Sequence, residues 1–228
     1  MPRICLLLGV AFMLFAPSFS TAAEPSSDLV REFQETKAKA EAGDADAQYK
    51  LAQMYVKGAG TEKNDAAAAP WYRKLAERGD PRGQSMLAVF YTNARGLPRD
   101  YDEAIKWFRK AAAQNSSHAQ YNLGYMYAVG KGVAKDDIES ARWYGLAAEQ
   151  NDKGSQRILG GLYATGRGVP KDLVQAYAWT SVAGDLTIDS DVVAKQLAKL
   201  TEQMTPDQQA AAKKLATEIQ ARVTKPKP

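Results

Sequence analysis

The sequence predicts an all-α fold: a solenoid of four 36-residue helix-turn-helix units with a helical cap at each end. Three observations carry that reading. Landmark residues recur at a fixed step of 36 with no gap, apolar residues within each unit follow helical spacing, and glycines break each unit in the middle. Trp71, Trp107, Trp143 and Trp179 keep the step, and so do Tyr55, Tyr91, Tyr127 and Tyr163. Gln48, Gln84, Gln120 and Gln156 keep it too, as do Leu51, Leu87, Leu123 and Leu159. Gly60, Gly96, Gly132 and Gly168 form a further set, and Asn64, Asp100, Asp136 and Asp172 another with one conservative change. Such a period marks stacked units, none of which can bury its apolar face alone. The units span 44–79, 80–115, 116–151 and 152–187.

Ahead of them, residues 1–23 read as an export signal. Arg3 is followed by the uncharged run Ile4–Ala16, about 20 Å long as a helix and too short to cross roughly 30 Å of hydrocarbon. Thr21, Ala22 and Ala23 supply the small residues of a cleavage site, expected after Ala23. Residues 24–43 hold an N-terminal capping helix with Leu29, Phe33 and Ala40 on its apolar side. In the third unit the first helix shows Ala119, Leu123, Met126 and Tyr127 at helical spacing and stops at Gly130 and Gly132, which supply positive φ. Asp136 with Glu139 opens the second helix as a capping box, repeated by Asp100 with Glu103 and by Asp172 with Gln175. Trp143, Tyr144, Ala147 and Ala148 then form one face. The tryptophans are expected to fill the core beside small neighbours, each burial contributing at most roughly 4–6 kcal/mol.

Three positions depart from the pattern. Pro70 stands inside the second helix of the first unit and predicts a kink or a late start there. Ala94 replaces the first loop glycine of the second unit and predicts a different loop. Thr180 stands where the other units have Tyr72, Phe108 and Tyr144. Residues 188–223 read as C-terminal capping helices, the first with Val192, Val193, Gln196, Leu197 and Leu200 on one side. Thr205, Pro206 and Gln208 start the second as cap, first turn and box, with Ala211, Leu215 and Ile219 along its face. Residues 224–228, with two prolines and two lysines, read as a disordered tail.

Composition bounds the function. The chain has 228 residues, 45% hydrophobic and 25% charged, an ordinary globular balance. One cysteine excludes an internal disulfide, and one cysteine with one histidine is too few for a Cys/His zinc site. Cys5 lies in the export signal, so no metal or cofactor is expected in the mature chain. Serine or cysteine catalysis of the usual triad type would have to use His118. The net charge of +4 is spread with both signs interspersed, without the dense basic stripe that nucleic acid needs. Gly130-Lys131-Gly132 and Gly166-Arg167-Gly168 look like phosphate loops, but each follows a helix rather than a strand and the motif recurs, so the glycines read as turn residues. Asp136 and Asp137 read as a cap and a first-turn carboxylate rather than a catalytic pair.

The third unit, with Ala-x-x-x-Leu-Gly-x-x-Tyr, then Gly-x-Gly-Val, Asp and Trp-Tyr-x-x-Ala-Ala, resembles the Sel-one-like repeats, a branch of the tetratricopeptide-type solenoids. Leu159, Gly160, Tyr163, Gly166, Gly168, Val169, Asp172 and Trp179 repeat the framework in the fourth. The resemblance implies a right-handed α/α superhelix that serves as a protein-interaction scaffold, without catalysis. In that geometry the first helix of each unit lines the concave face, and positions two before and two after the framework leucine point into the groove: Tyr49 and Gln53, Ser85 and Val89, Tyr121 and Tyr125, Arg157 and Gly161. Tyr49, Gln53, His118, Tyr121, Tyr125 and Arg157 are therefore the expected partner-binding residues, because tyrosine and arginine are frequent hot spots. Packing of these tyrosines between adjacent units is the competing account, and an exposed helix-start residue is the competing account of His118. The expected function is an adaptor of the bacterial envelope, periplasmic or secreted, that holds a protein or peptide and neither nucleic acid nor, after signal cleavage, a membrane; the sequence leaves the oligomeric state open, with a monomer favoured. A cell-wall or glycan-acting protein and a secreted host-interaction factor stay open at this point.

Overall fold

Eleven helices and no strand form among residues 27–184 and 190–225, the residues that the computed structural model describes. They are α1 (Ser27–Glu41), α2 (Ala45–Lys57), α3 (Asp65–Glu77), α4 (Pro81–Asn93), α5 (Tyr101–Ala113), α6 (Ser117–Val129), α7 (Asp137–Ala148), α8 (Lys153–Thr165), α9 (Leu173–Ala183), α10 (Ser190–Thr201) and α11 (Pro206–Val223). The export signal, the first residues of the N-terminal cap, the stretch 185–189 and tail residues 226–228 lie outside the described residues. From α1 to α9 each helix packs on the next in chain order, and α10 and α11 both pack on α9. This is an α/α solenoid.

Every helix from α2 to α9 starts at a side-chain cap. Asp44, Asp80, Ser116 and Asp152 cap the first helices, and Asn64, Asp100, Asp136 and Asp172 cap the second. Each side chain accepts from a backbone N–H that the helix leaves unpaired. The reciprocal half of the capping box does not form as expected in α5 and α7. Glu103 instead accepts from Trp107 Nε1 at 3.0 Å and Lys106 at 2.8 Å, and Glu139 accepts from Arg142 at 2.9 Å. The full box forms in α11 between Thr205 and Gln208.

The units lock together through two recurring contacts. Gln48, Gln84, Gln120 and Gln156 are buried, and each Nε2 donates to the carbonyl eight residues back, at Ala40, Ala76, Ala112 and Ala148. Each of these helix-end carbonyls also accepts from the backbone N–H three residues on, so the glutamine supplies a second donor and ties the next helix to that end. The second glycine of each loop seals the other end of the joint. Gly60, Gly96 and Gly168 have φ of 69°, 62° and 71°, and a Cβ there would collide with the carbonyl of Leu29, Asp65 and Asp137 respectively. Glycine is needed twice over: for its left-handed φ and for the close approach.

The tryptophans are placed differently from expectation. Trp71, Trp107 and Trp143 are only half-buried, whereas the residue after each, Tyr72, Phe108 or Tyr144, is buried. Trp71 and Trp107 each pack against two neighbouring core clusters, so the large indole spans the seam between units and leaves one edge in water. Lys110 lies 4.2 Å from the Trp107 ring and Arg142 4.5 Å from that of Trp143. Trp179 alone of the four is buried, at 4% exposure, because α11 covers it.

The departures resolve as follows. No late start occurs at Pro70: α3 begins at Asp65 and runs through the proline, with Ala68 and Ala69 buried. Packing of the alanines holds a turn that the proline alone would disfavour. The loop at Ala94 is not different either. Ala94 takes φ 55°, close to Gly58, Gly130 and Gly166 at 72°, 73° and 73°, so the tertiary joint forces a left-handed alanine. Leu29 is 40% exposed rather than apolar-face core, and in α11 the inward alanine is Ala212, not the exposed Ala211.

Candidate partner-binding groove

The first helices α2, α4 and α6 share a recess of about 230 Å3. Tyr49, Arg82, Ser85, Met86, Ser116 and His118 line it. Tyr49 is half-buried and meets Tyr72 edge-on at 5.8 Å, while the Arg82 guanidinium lies 5.2 Å from its ring. Arg82 is held by Asp46 and Asp80, each at 2.7 Å, and the Arg82 bond keeps the Asp80 carboxyl below its usual range. Ser85 lies at the floor of the recess rather than on its open surface. It is 2% exposed, and its hydroxyl is 3.0 Å from that of Ser116, because the groove position there has turned into the joint with the next unit.

His118 sits on the surface of the recess at the foot of α6. Desolvation lowers its imidazole pKa, opposed by the nearby charge of Asp152. Surface access together with desolvation is what a concave wall produces. Its backbone carbonyl accepts from Asn122 at 2.7 Å.

Tyr121 is half-buried, meets Tyr144 edge-on at 5.6 Å and covers Gly154 of the next unit, so packing accounts for most of its surface. Burial raises the Tyr144 hydroxyl above the usual tyrosine range, with the neighbouring Tyr121 and Tyr125 adding to the effect. Tyr125 is different: it is 39% exposed, its hydroxyl accepts from Lys131 Nζ at 3.2 Å, and that ammonium lies 5.2 Å from the ring centre. Val129, one turn on, is 46% exposed. Gln53 is half-buried. Arg157 is exposed and has no hydrogen-bonded or ionic partner among the described residues.

The predicted residues thus separate into two neighbourhoods. Tyr49 and His118 share the recess, whereas Tyr121 and Tyr125 gather around Tyr144. Arg157 and Gln53 line neither. Sequence reasoning passed over Arg82, Met86 and Lys131. Arg82 and His118 are 36 residues apart at the helix starts, and Lys131 was read only as the middle of a turn. A further cleft of about 580 Å3 lies away from these residues, lined among others by Ile138, Gly145, Tyr163, Leu215 and Arg222. Among the described residues, no three of His, Cys, Asp and Glu gather as a metal site, and no helix is long and apolar enough to cross a membrane.

Comparison with known proteins bears on this surface. The model of the Sel1 repeat matches residues 45–80, 81–116, 117–152 and 154–187, well over half of the chain. A Sel1 repeat protein from Oxalobacter formigenes is 31% identical over 76% of this chain, with a TM-score of 0.66. The match covers 49% of that protein, so this chain spans about half its length. An immunity protein from Pseudomonas aeruginosa is 22% identical with a TM-score of 0.51, covering 88% of this chain and 76% of that one. A protein of the same repeat type from Klebsiella pneumoniae is 21% identical with a TM-score of 0.50, covering 77% and 86%. These last two show the fold alone. No curated protein matches the chain.

Proposed function

The chain belongs to the Sel1 repeat family, and from that premise we propose that it is a non-catalytic adaptor of the bacterial envelope that holds a segment of a partner protein along its first helices. Sel1 repeat proteins are generally protein–protein interaction scaffolds and typically lack catalysis. One observation supports the reading most: a strictly periodic framework carries a non-periodic surface. Gln53, Val89, Tyr125 and Gly161 occupy one equivalent position on the first helices of four successive units, and Tyr125 leaves 39% of its surface open. A large, stiff, amphipathic side chain held by a rigid helix loses little entropy on binding. The recess at Tyr49, Arg82 and His118 extends the same face toward the N-terminus.

The test is crosslinked capture with tagged wild type and Tyr125→Ala side by side, with melting curves for both. A protein recovered by wild type and lost by a variant of unchanged stability supports the groove. Equal recovery moves the site elsewhere, and a collapse in stability makes Tyr125 a packing residue. Envelope localisation rests on Arg3, the run Ile4–Ala16 and Ala23. Intact mass of the protein from a periplasmic fraction should correspond to a chain beginning at Glu24. A mass retaining residues 1–23 would contradict it.

A further inference from the structure

Each loop between the two helices of a unit carries one residue in the same place: Ala59, Arg95, Lys131 and Arg167. Two of these cations are closed off by an acid thirty residues earlier, at the first position of the preceding unit's second helix. Arg95 binds Asp65 through two bonds of 2.8 and 2.6 Å, and Arg167 binds Asp137 at 2.9 Å. At the joint between the second and third units the same position is Tyr101, which has no carboxylate. The Tyr101 side chain packs instead under Gly132. Lys131 is left with the hydroxyl and ring face of Tyr125. The ladder of ion pairs is broken at the joint beside the most exposed tyrosine of the expected groove.

The surroundings deepen the asymmetry. Helices α4, α6 and α8 contain no aspartate or glutamate, while α3, α5 and α7 each contain at least two. Of the cations on the first set, Arg82 is paired and Lys153 donates to the Val182 carbonyl at 2.7 Å, whereas Arg157 has no partner among the described residues. The residue before each second-helix cap is basic in all four units, Lys63, Arg99, Lys135 and Lys171, and all four are exposed. A cation edge next to acid-free helices attracts negative charge and speeds its encounter.

We propose that Lys131, Tyr125 and Val129 form a receptor for an acidic segment of a partner polypeptide. A partner carboxylate takes at Lys131 the place that Asp65 takes at Arg95 and Asp137 takes at Arg167. An apolar side chain next to that carboxylate covers Tyr125 and Val129, the two exposed apolar groups of the patch. This inference rests on the adaptor reading above and adds to it the chemistry of the partner.

The probe is a fluorescein-labelled peptide of repeated Ser-Glu-Leu, compared by anisotropy with its Ser-Lys-Leu counterpart. Wild type should bind the acidic peptide and not the basic one, and added salt should weaken the complex. Lys131→Glu, a change on a half-exposed loop, should reduce affinity by about tenfold or more, the scale of a lost close charge pair. Tyr101→Asp should also reduce it, by giving Lys131 the carboxylate that its counterparts already have while leaving the lysine in place. Equal binding of both peptides, or no loss in Lys131→Glu with the melting temperature kept, overturns the proposal. A single-stranded oligonucleotide of equal charge that displaces the peptide equally well also overturns it. If Tyr125→Ala loses the crosslinked partner and Lys131→Glu keeps it, the groove stands and the acidic-segment inference falls.

Discussion

The two ends of the array close by different means. At the N-terminus, α1 takes the place of the second helix of a unit. Its Ala40 carbonyl receives Gln48, and its Leu29 carbonyl sits against Gly60, at the same offsets as in the inner joints. At the C-terminus, α11 follows no repeat register. It buries Trp179 beneath Ile219 and Val223, and Arg222 reaches back to Glu149 with bonds of 2.8 and 2.6 Å. The difference shows in the polar atoms. Gln84 and Gln120 accept through Oε1 from Gln114 and Gln150 of the same column. Among the described residues Gln156 Oε1, Ser155 Oγ and Thr180 Oγ1 are buried without partners, as are Tyr72 Oη and Trp143 Nε1 in the inner units. Both ends keep the glutamine-to-carbonyl bond of the joint, at Gln48 and at Gln156, and α11 adds apolar burial and an ion pair that lie outside the repeat pattern.

That contrast breaks most sharply at Gly60. In Gly60→Ala the new Cβ would strike the Leu29 carbonyl in a left-handed backbone, an expected loss of about 4 kcal/mol. Urea unfolding should show it. A loss under about 1 kcal/mol would mean that α1 is merely laid on the array rather than keyed into it. At the other end the burial of Trp179 predicts the next largest effect. Trp179→Ala should cost about 3 kcal/mol, and the half-buried Trp107 about half as much on the same change. Equal losses would mean that α11 contributes no more to Trp179 than a neighbouring unit does to Trp107.

Most of the fold was legible because a period of 36 constrains every unit at once. Helix bounds followed from caps and glycines, and the seam positions from repetition. The tryptophans were misjudged because repetition marks a residue as structural without telling core from seam: the Trp107 position is unchanged in four units and the Phe108 position aromatic in three, and only packing decides which enters. The groove was less legible for a related reason. Tyr49, Tyr121 and Tyr125 look alike in the sequence, but two meet a buried ring on the second helix of their own unit and one meets Lys131. What separates them is the residue thirty positions before that lysine, a relation across units rather than within one. Arg157 was placed by register and His118 as the only histidine at a helix start, and of the two His118 joins the recess.

A smaller test asks whether the interior of the array is uniform. Ala94 holds a conformation that glycine takes in the other three loops. Ala94→Gly should therefore gain about 1 kcal/mol despite the added freedom of the unfolded chain. A matching loss is expected for Gly130→Ala, read in parallel unfolding curves. If Ala94→Gly destabilises, the loop of the second unit is not the equivalent of the others.

The smallest effect distinguishes a joint with its ion pair from the one without. The Arg95 hydrogen bond beside Asp65 holds that carboxyl below its ordinary 3.8, against a desolvation that pushes the other way. A carboxyl depressed in the folded state stabilises fully above its unfolded pKa, and the contribution disappears as pH falls through the folded value. Asp65→Asn should thus be less stable than wild type at neutral pH by about 0.5 kcal/mol, a modest figure because both side chains are partly solvated. The gap should close below pH 3.8 as Asp65 itself becomes neutral. Melting temperatures of the two proteins across that range test the sign directly. A gap that stays constant into acid would assign the stabilisation to the geometry of the Arg95 bonds rather than to charge, and would remove the electrostatic contrast with the Tyr101 joint.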